Sequence, residues 1–130
     1  MTRAVLIVED AETCASVLEV ALSSIRNLSI HTAGSAEQAW ELLEGSPEGI
    51  RAIVTDLHMP GMDGFELIDR VRANPAYAGL PIIVITGSTD PQGPERARAH
   101  GANAVFTKPY SPAQVREKLE WLLNDDTQLG

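Results

Sequence analysis

The chain has 130 residues, 44% of them hydrophobic and 22% charged, with a formal net charge of −8. That length fits one domain able to bury roughly two-thirds of the surface its unfolded chain exposes, and the apolar fraction excludes a disordered chain. Ten Lys and Arg residues against eighteen acids argue against a nucleic-acid or anionic-membrane surface, which needs clustered cations for phosphates.

A single cysteine, Cys14, excludes an intramolecular disulfide and disfavours a zinc site. The longest apolar runs, residues 4–8 and 80–85, are far too short to cross a bilayer. The first is followed at once by Glu9 and Asp10 with no small-residue cleavage site, so it does not read as a signal peptide and a cytoplasmic location is expected.

In chain order, residues 4–8 form an apolar strand and are followed by a helix with Val17, Leu18, Ala21, Leu22 and Ile25 on one stripe. Residues 28–33 alternate more and read as an edge strand. Ser35 and Gln38 resemble a capping box opening the second helix, whose apolar face is Ala36, Ala39, Trp40 and Leu43. A third strand at 52–55 precedes a helix over 64–73 that buries Phe65, Ile68 and Val71 or Leu67. The strand at 81–86 leads into a segment crowded by Pro91, Gly93 and Pro94, leaving a short helix over 95–100. A last strand at 104–107 is followed by a helix with Ser111 as N-cap, Pro112 as first helical residue, and Val115, Leu119 and Leu122 as its buried face. This (βα)5 alternation implies an α/β doubly wound parallel sheet with helices on both faces. One domain over 1–124 and a polar, frayed tail over 125–130 are expected.

In such sheets ligands bind beyond the carboxyl ends of the strands. There the sequence places Glu9 and Asp10, Asp56, Thr86, and Lys108 followed by Pro109. Three carboxylates brought together repel one another unless a cation neutralises them, and hard oxygen donors with room for water suit Mg²⁺.

Val-Glu-Asp at 8–10, Thr-Asp-Leu-His-Met-Pro-Gly-Met-Asp-Gly at 55–64, Ile-Thr-Gly at 85–87 and Thr-Lys-Pro at 107–109 together resemble the response-regulator receiver domain of two-component signalling. The resemblance covers residues 3 to about 123. It implies the flavodoxin-like, CheY-like strand order 2-1-3-4-5 and a phospho-acceptor, Asp56, served by a sensor histidine kinase, a phosphotransfer protein or a small donor such as acetyl phosphate. It further implies Mg²⁺ or Mn²⁺ held by Asp10, Glu9, Asp56 and the backbone carbonyl of His58. Lys108 would pair with a phosphoryl oxygen, aimed by a cis bond to Pro109, and Thr86 would report the phosphoryl group. His58, Gly87 and Ser88 occupy positions that tune rates in this family. The glycines of the 59–64 turn permit unusual backbone angles beside Asp56.

The chain departs from the family where an aromatic residue is usual three positions before the lysine. Val105 stands there, and Phe106, one residue on, faces the other side of the strand and reads as core. Switching is therefore expected through the 86–94 loop and the fourth helix, without a ring flip. Trp121 points away from the apolar face of the fifth helix, toward the helix 4–strand 5–helix 5 surface. It is expected to be exposed there and to anchor an unknown downstream protein or a weak homodimer of an otherwise monomeric chain. Trp40 and Cys14 read as core residues, and His31 and His100 as solvated ones.

Three other functions compete. An aspartyl-phosphate phosphatase would carry a second Asp two residues after the nucleophile, where this chain has His58. An FMN carrier needs a phosphate-binding loop where Glu9-Asp10-Ala11-Glu12 has the wrong charge. A phosphate-independent interaction module has no need of the acids, Thr86 and Lys108.

Overall fold

Strands and helices alternate through the chain: β1 (Arg3–Val8), α1 (Glu12–Leu22), β2 (Leu28–Ala33), α2 (Ala36–Gly45), β3 (Ile50–Asp56), α3 (Gly64–Ala73), β4 (Ile82–Thr86), α4 (Gly93–His100), β5 (Ala104–Thr107) and α5 (Pro112–Leu129). The computed structural model describes residues 3–45, 49–58, 61–87 and 91–129, with side chains up to residue 124. All strand pairs are parallel and the order is β2-β1-β3-β4-β5, as the resemblance implied. Among the described residues no helix is long and apolar enough to cross a membrane.

Strand alternation divides the core into two layers. Ala4, Leu6 and Val8 of β1 pack with Ile53 of β3 and Ile82 and Val84 of β4 beneath α2, α3 and α4. Val5, Ile7, Ala52, Val54, Ile83 and Ile85 face the other way, onto Leu18 and Leu22 of α1 and Val115, Leu119, Leu122 and Leu123 of α5. Both faces of β1, β3 and β4 are therefore covered, which accounts for their near-continuous apolar runs. β2 is a half-buried edge strand. Val105 and Phe106 contribute to opposite layers.

Helix starts follow local chemistry. The Gln38 N–H donates to Ser35 Oγ at 3.1 Å, and Gln38 Oε1 accepts from the Gly34 N–H at 2.9 Å, one residue earlier than a standard capping box would place it. Asp63 caps α3 by accepting from the Glu66 N–H, and Ser111 accepts from the Gln114 N–H.

Several expectations need correction. α4 begins at Gly93, not at 95, because Pro94 lies in the first turn, where its missing N–H is not needed. α5 continues to Leu129, so 125–129 extend the helix instead of forming a frayed tail. Val17 lies off the buried stripe of α1 and is 50% exposed. It stands about 100° around the helix from Leu18, which with Leu22 forms the true core edge. His100 is half-buried, its ring 5.0 Å from that of Phe65 and its Nδ1 2.6 Å from Asp69 Oδ1. His31 is half-buried on β2, and Trp40 is a half-buried rim residue set edge-on against Tyr77. Cys14 is also half-buried.

Candidate functional site

Register carries the strand ends into one row. Val8 pairs with Thr55, Asp56 with Ile85 and Thr86 with Thr107, so Glu9, Asp56, Thr86 and Lys108 line one edge of the sheet. The Lys108 N–H donates to the Thr86 carbonyl at 2.8 Å, fastening β5 to β4 at this edge. The Lys108–Pro109 bond is cis.

Glu9 and Asp56 are only 5% and 6% exposed, whereas Asp10 is exposed. Carboxylate oxygens of Glu9, Asp10 and Asp56 lie within 4.8 Å of one another. Into this group projects Lys108, with Nζ 3.2 Å from Asp56 Oδ2 and 3.8 Å from Glu9 Oε2. Asp56 Oδ1 accepts from the His58 N–H at 3.1 Å, and Glu9 Oε1 from the Ala11 N–H at 3.1 Å.

Burial pushes the Glu9 carboxyl up to about 7. Its hydrogen bond to Ala11 opposes that rise, and the nearby Asp56 charge adds to it. Burial alone would lower the Lys108 ammonium, but its hydrogen bond to Asp56 and the charges of Asp56 and Glu9 outweigh this and raise it. A buried acid that resists ionisation beside two others is a donor set lacking positive charge. Its all-oxygen composition fits a hard divalent cation.

The Thr86 hydroxyl is fully buried and has no hydrogen-bond partner among the described residues. Gly87 follows it, half-buried, and the His58 side chain is exposed. Ser88, Met59 and Pro60 lie outside the described residues. Val105 is half-buried on β5, and Trp121 is 57% exposed on α5 with Lys118 Nζ 4.4 Å from its ring centroid.

The sequence pattern anticipates the positive φ of Gly61 and misses two other features of the site, the room that Gly64 leaves and a groove beside Lys108. Of the two glycines that bound the described part of the turn before α3, Gly61 has φ 79°. Gly64 matters for a different reason: a Cβ there would stand 2.5 Å from the Asp56 carbonyl oxygen and 2.7 Å from Leu57 Cα. Beside Lys108 a groove of about 280 Å³ runs between Thr13, Cys14 and Val17 on one side and Pro109, Tyr110 and Pro112 on the other. It continues past Val17 and Pro112 into a groove of about 420 Å³ that reaches Val20, which is 72% exposed.

Residues 5–120 match the response regulator receiver domain family. The chain belongs to this family. A chemotaxis protein CheY homolog of Campylobacter jejuni is 32% identical to this receiver over 125 residues, 96% of this chain and 95% of that protein. Chemotaxis protein CheY1 of Helicobacter pylori is 31% identical over 118 residues, covering 91% of this chain and 94% of its own. The solved chemotaxis response regulator CheY4 of Vibrio cholerae superposes with a TM-score of 0.81 at 25% identity, covering 94% of this chain and 99% of that one. The receiver is thus of the CheY-like type, in keeping with two-component signalling.

Proposed function

We propose that this receiver is a phosphorylation-controlled switch in which Asp56 accepts a phosphoryl group from a histidine kinase or phosphotransfer protein. The observation that carries the reading is a carboxylate held at a buried strand end by an ammonium 3.2 Å away, inside a cluster of acids. A buried carboxylate with no task is costly, and these neighbours suit one that must attack an anionic phosphorus.

An Asp56 oxygen forms the bond to phosphorus as the phosphorus–nitrogen bond of the donor phosphohistidine breaks. The imidazole leaves with the electron pair and regains a proton from solvent; with acetyl phosphate the leaving group is acetate. Glu9, Asp10, Asp56 and the His58 carbonyl would hold Mg²⁺ or Mn²⁺, which when bound supplies the positive charge that screens nucleophile from phosphoryl group. Lys108 exchanges its contact with Asp56 for one with a phosphoryl oxygen. Thr86, whose hydroxyl lacks a partner among the described residues, donates a hydrogen bond to the phosphoryl group once it arrives. His58, Gly87 and Ser88 set the rates at which the group comes and goes.

The apolar groove running from Lys108 along α1 gives a protein donor its seat, since it opens directly beside the reacting groups. With Val105 in place of an aromatic residue, the signal passes through the 86–94 loop and α4 to the α4–β5–α5 surface, where Trp121 meets a downstream protein. The chemistry of the chain is limited to its own phosphorylation from a phosphodonor and its own dephosphorylation.

Intact mass after incubation with acetyl phosphate and Mg²⁺ tests this. Gain of one phosphoryl mass by the wild type, abolished in Asp56→Asn and by chelator, is the expected result. No gain, together with no binding of a beryllofluoride mimic, would replace this reading with a phosphate-independent interaction module.

A further inference from the structure

The seam between α2 and α3 holds a groove that the chemistry around Asp56 does not use. Its volume is about 350 Å³, and Trp40 of α2 faces Arg70, Ala73, Asn74 and Pro75 across it. The helices that form it cover one face of the sheet, whereas α1 and α5 cover the other. The groove therefore lies across the sheet from the one beside Lys108 and from Trp121.

Its walls are fixed. The Trp40 ring stands edge-on to Tyr77 with centroids 5.9 Å apart, and the Tyr77 hydroxyl donates to the Leu43 carbonyl at 3.3 Å. In the turn after α3, Asn74 Oδ1 accepts from the Ala76 N–H at 2.9 Å. Arg72 braces the same turn, its Nη1 donating to the carbonyls of Ala78 and Leu80 at 2.8 and 2.7 Å. Its Nη2 donates to Asn103 Oδ1 at 3.0 Å, which ties the turn to the start of β5. An aromatic wall that is already ordered spares a ligand the entropy of ordering it.

Charge borders the groove unequally. Glu37, Glu41 and Glu44 are exposed and recur one turn apart, so they form a stripe along α2. Trp40 sits between that stripe and the buried face of Ala36, Ala39 and Leu43. Glu37 is engaged with the turn before α3, its Oε2 accepting from the Met62 N–H at 3.4 Å. Glu41 and Glu44 have no ion pair among the described residues, and neither does Arg70 on the opposite rim.

An apolar floor with a charged rim is the layout of a protein-binding patch. A second copy of this chain does not suit it. Each copy would bring the three acids of α2 against a single arginine, on chains that each carry a formal net charge of −8. The complementary occupant is cationic where it meets α2 and acidic where it meets Arg70. No sheet edge borders the groove, because α2 and α3 lie over the face of the sheet and its edges are β2 and β5. A helix laid along two others is then the mode of contact that the surface offers.

We infer that the α2–α3 groove docks a basic amphipathic helix of a partner protein. An apolar residue of that helix sets against Trp40, its lysines or arginines face Glu41 and Glu44, and a carboxylate meets Arg70. Docking there leaves the carboxyl ends of the strands and the α1 face open, so it does not depend on how Asp56 is used.

Amide chemical-shift titrations of the full chain with two synthetic peptides test this. One is a helix of about five turns built from Leu, Ala, Lys and Arg with a single Glu at one edge. The other keeps its apolar face and carries Glu in place of every Lys and Arg. The basic peptide is expected to shift the Trp40 indole N–H and the amides of Ala73 and Asn74, and to bind at least about tenfold tighter than the acidic one. Trp40→Ala should weaken its binding by about tenfold or more, and Trp40→Leu serves if the alanine variant does not fold. The double variant Glu41→Lys and Glu44→Lys should abolish the preference for the basic peptide while β1 and β3 amides stay in place. Shifts centred on α1 or on the acids at the strand ends, equal affinity for the two peptides, or an undiminished preference in the double variant would each overturn the inference. So would the absence of saturable binding by the basic peptide up to about 1 mM. Self-association of the wild type that is lost in Trp40→Ala would assign the groove to a second copy and overturn it as well.

Discussion

Lys108 Nζ reaches across from the end of β5 to within 3.2 Å of Asp56 Oδ2 at the end of β3. It is also 3.8 Å from Glu9 Oε2. With Asp10 at the rim, one ammonium thus faces three carboxylates, and the ionised group is left two negative charges in excess. Two of those carboxylates are buried, where the excess is poorly screened. The same shortfall that destabilises the site gives it affinity for a divalent cation and for the Lys108 side chain.

Replacing Lys108 by Met should therefore have two separable effects. Without divalent cation, two buried carboxylates lose their counter-ion, and stability at pH 7.5 should fall by about 1–2 kcal/mol, moderated because the lysine head is partly in solvent. Saturating Mg²⁺ should restore most of that loss, as read by urea unfolding. Phosphorylation by acetyl phosphate should stay at least about tenfold slower even with Mg²⁺, because the contact to the phosphoryl oxygen is not replaced.

The positions of these groups are largely legible in the sequence. Parallel strands covered on both faces must be continuously apolar, so the first charged residue after each run marks a carboxyl end, and Glu9, Asp56 and Lys108 were found that way. What the pattern could not give depends on tertiary approach. Nothing local distinguishes buried Glu9 from exposed Asp10, or shows that Gly64 is needed for room. A helical stripe drawn from hydrophobicity alone takes in Val17, which lies on its rim and is exposed. Arg72 reads as one more surface cation, since its acceptors lie up to 31 residues away.

Glu9 makes stability depend on pH. Its carboxyl titrates near 7 in the folded chain against 4.5 when free, so the folded state keeps a proton that the unfolded state has released. The resulting stabilisation is complete below about pH 4.5 and is lost as pH rises through about 7, an amount on the order of 3 kcal/mol. Unfolding midpoints between pH 5 and 8 in the presence of chelator should show this slope in the wild type. Glu9→Gln should flatten it by leaving no proton to release. Saturating Mg²⁺ should flatten it as well, by favouring the ionised carboxylate.

Gly64 should tolerate no side chain. An added methyl would press on the Asp56 carbonyl and the Leu57 Cα, both backbone atoms that can yield only by moving the end of β3. Gly64→Ala is expected to cost about 1–3 kcal/mol and to slow phosphorylation in proportion to the displacement of Asp56. Gly79→Ala provides the control, because a Cβ there meets nothing within 4 Å. Equal stability of the two variants would show that the β3–α3 junction is softer than this packing implies.

The proposed function makes the groove beside Lys108 the feature that should separate small donors from protein donors. Acetyl phosphate needs only the row of strand-end groups, whereas a protein must seat a surface against the chain to bring its phosphohistidine to a buried carboxylate. Val17 and Val20, half and three-quarters exposed on α1, are apolar groups that a solvent-facing helix has no reason to carry in a line with Pro112. Val20 lies far from the acids, at the distal end of the groove, so Val20→Glu leaves the chemistry untouched. It should leave the acetyl phosphate rate within about twofold of wild type, since surface changes remote from such features usually stay within ±0.5 kcal/mol. Transfer from a phosphorylated histidine phosphotransfer domain should slow by about tenfold or more through a raised KM, as one anchor in an apolar contact contributes about 1–2 kcal/mol. If both donors slowed together, the substitution would have disturbed the site itself. If neither slowed, the donor would seat elsewhere, and the apolar face of α1 would belong to a different partner.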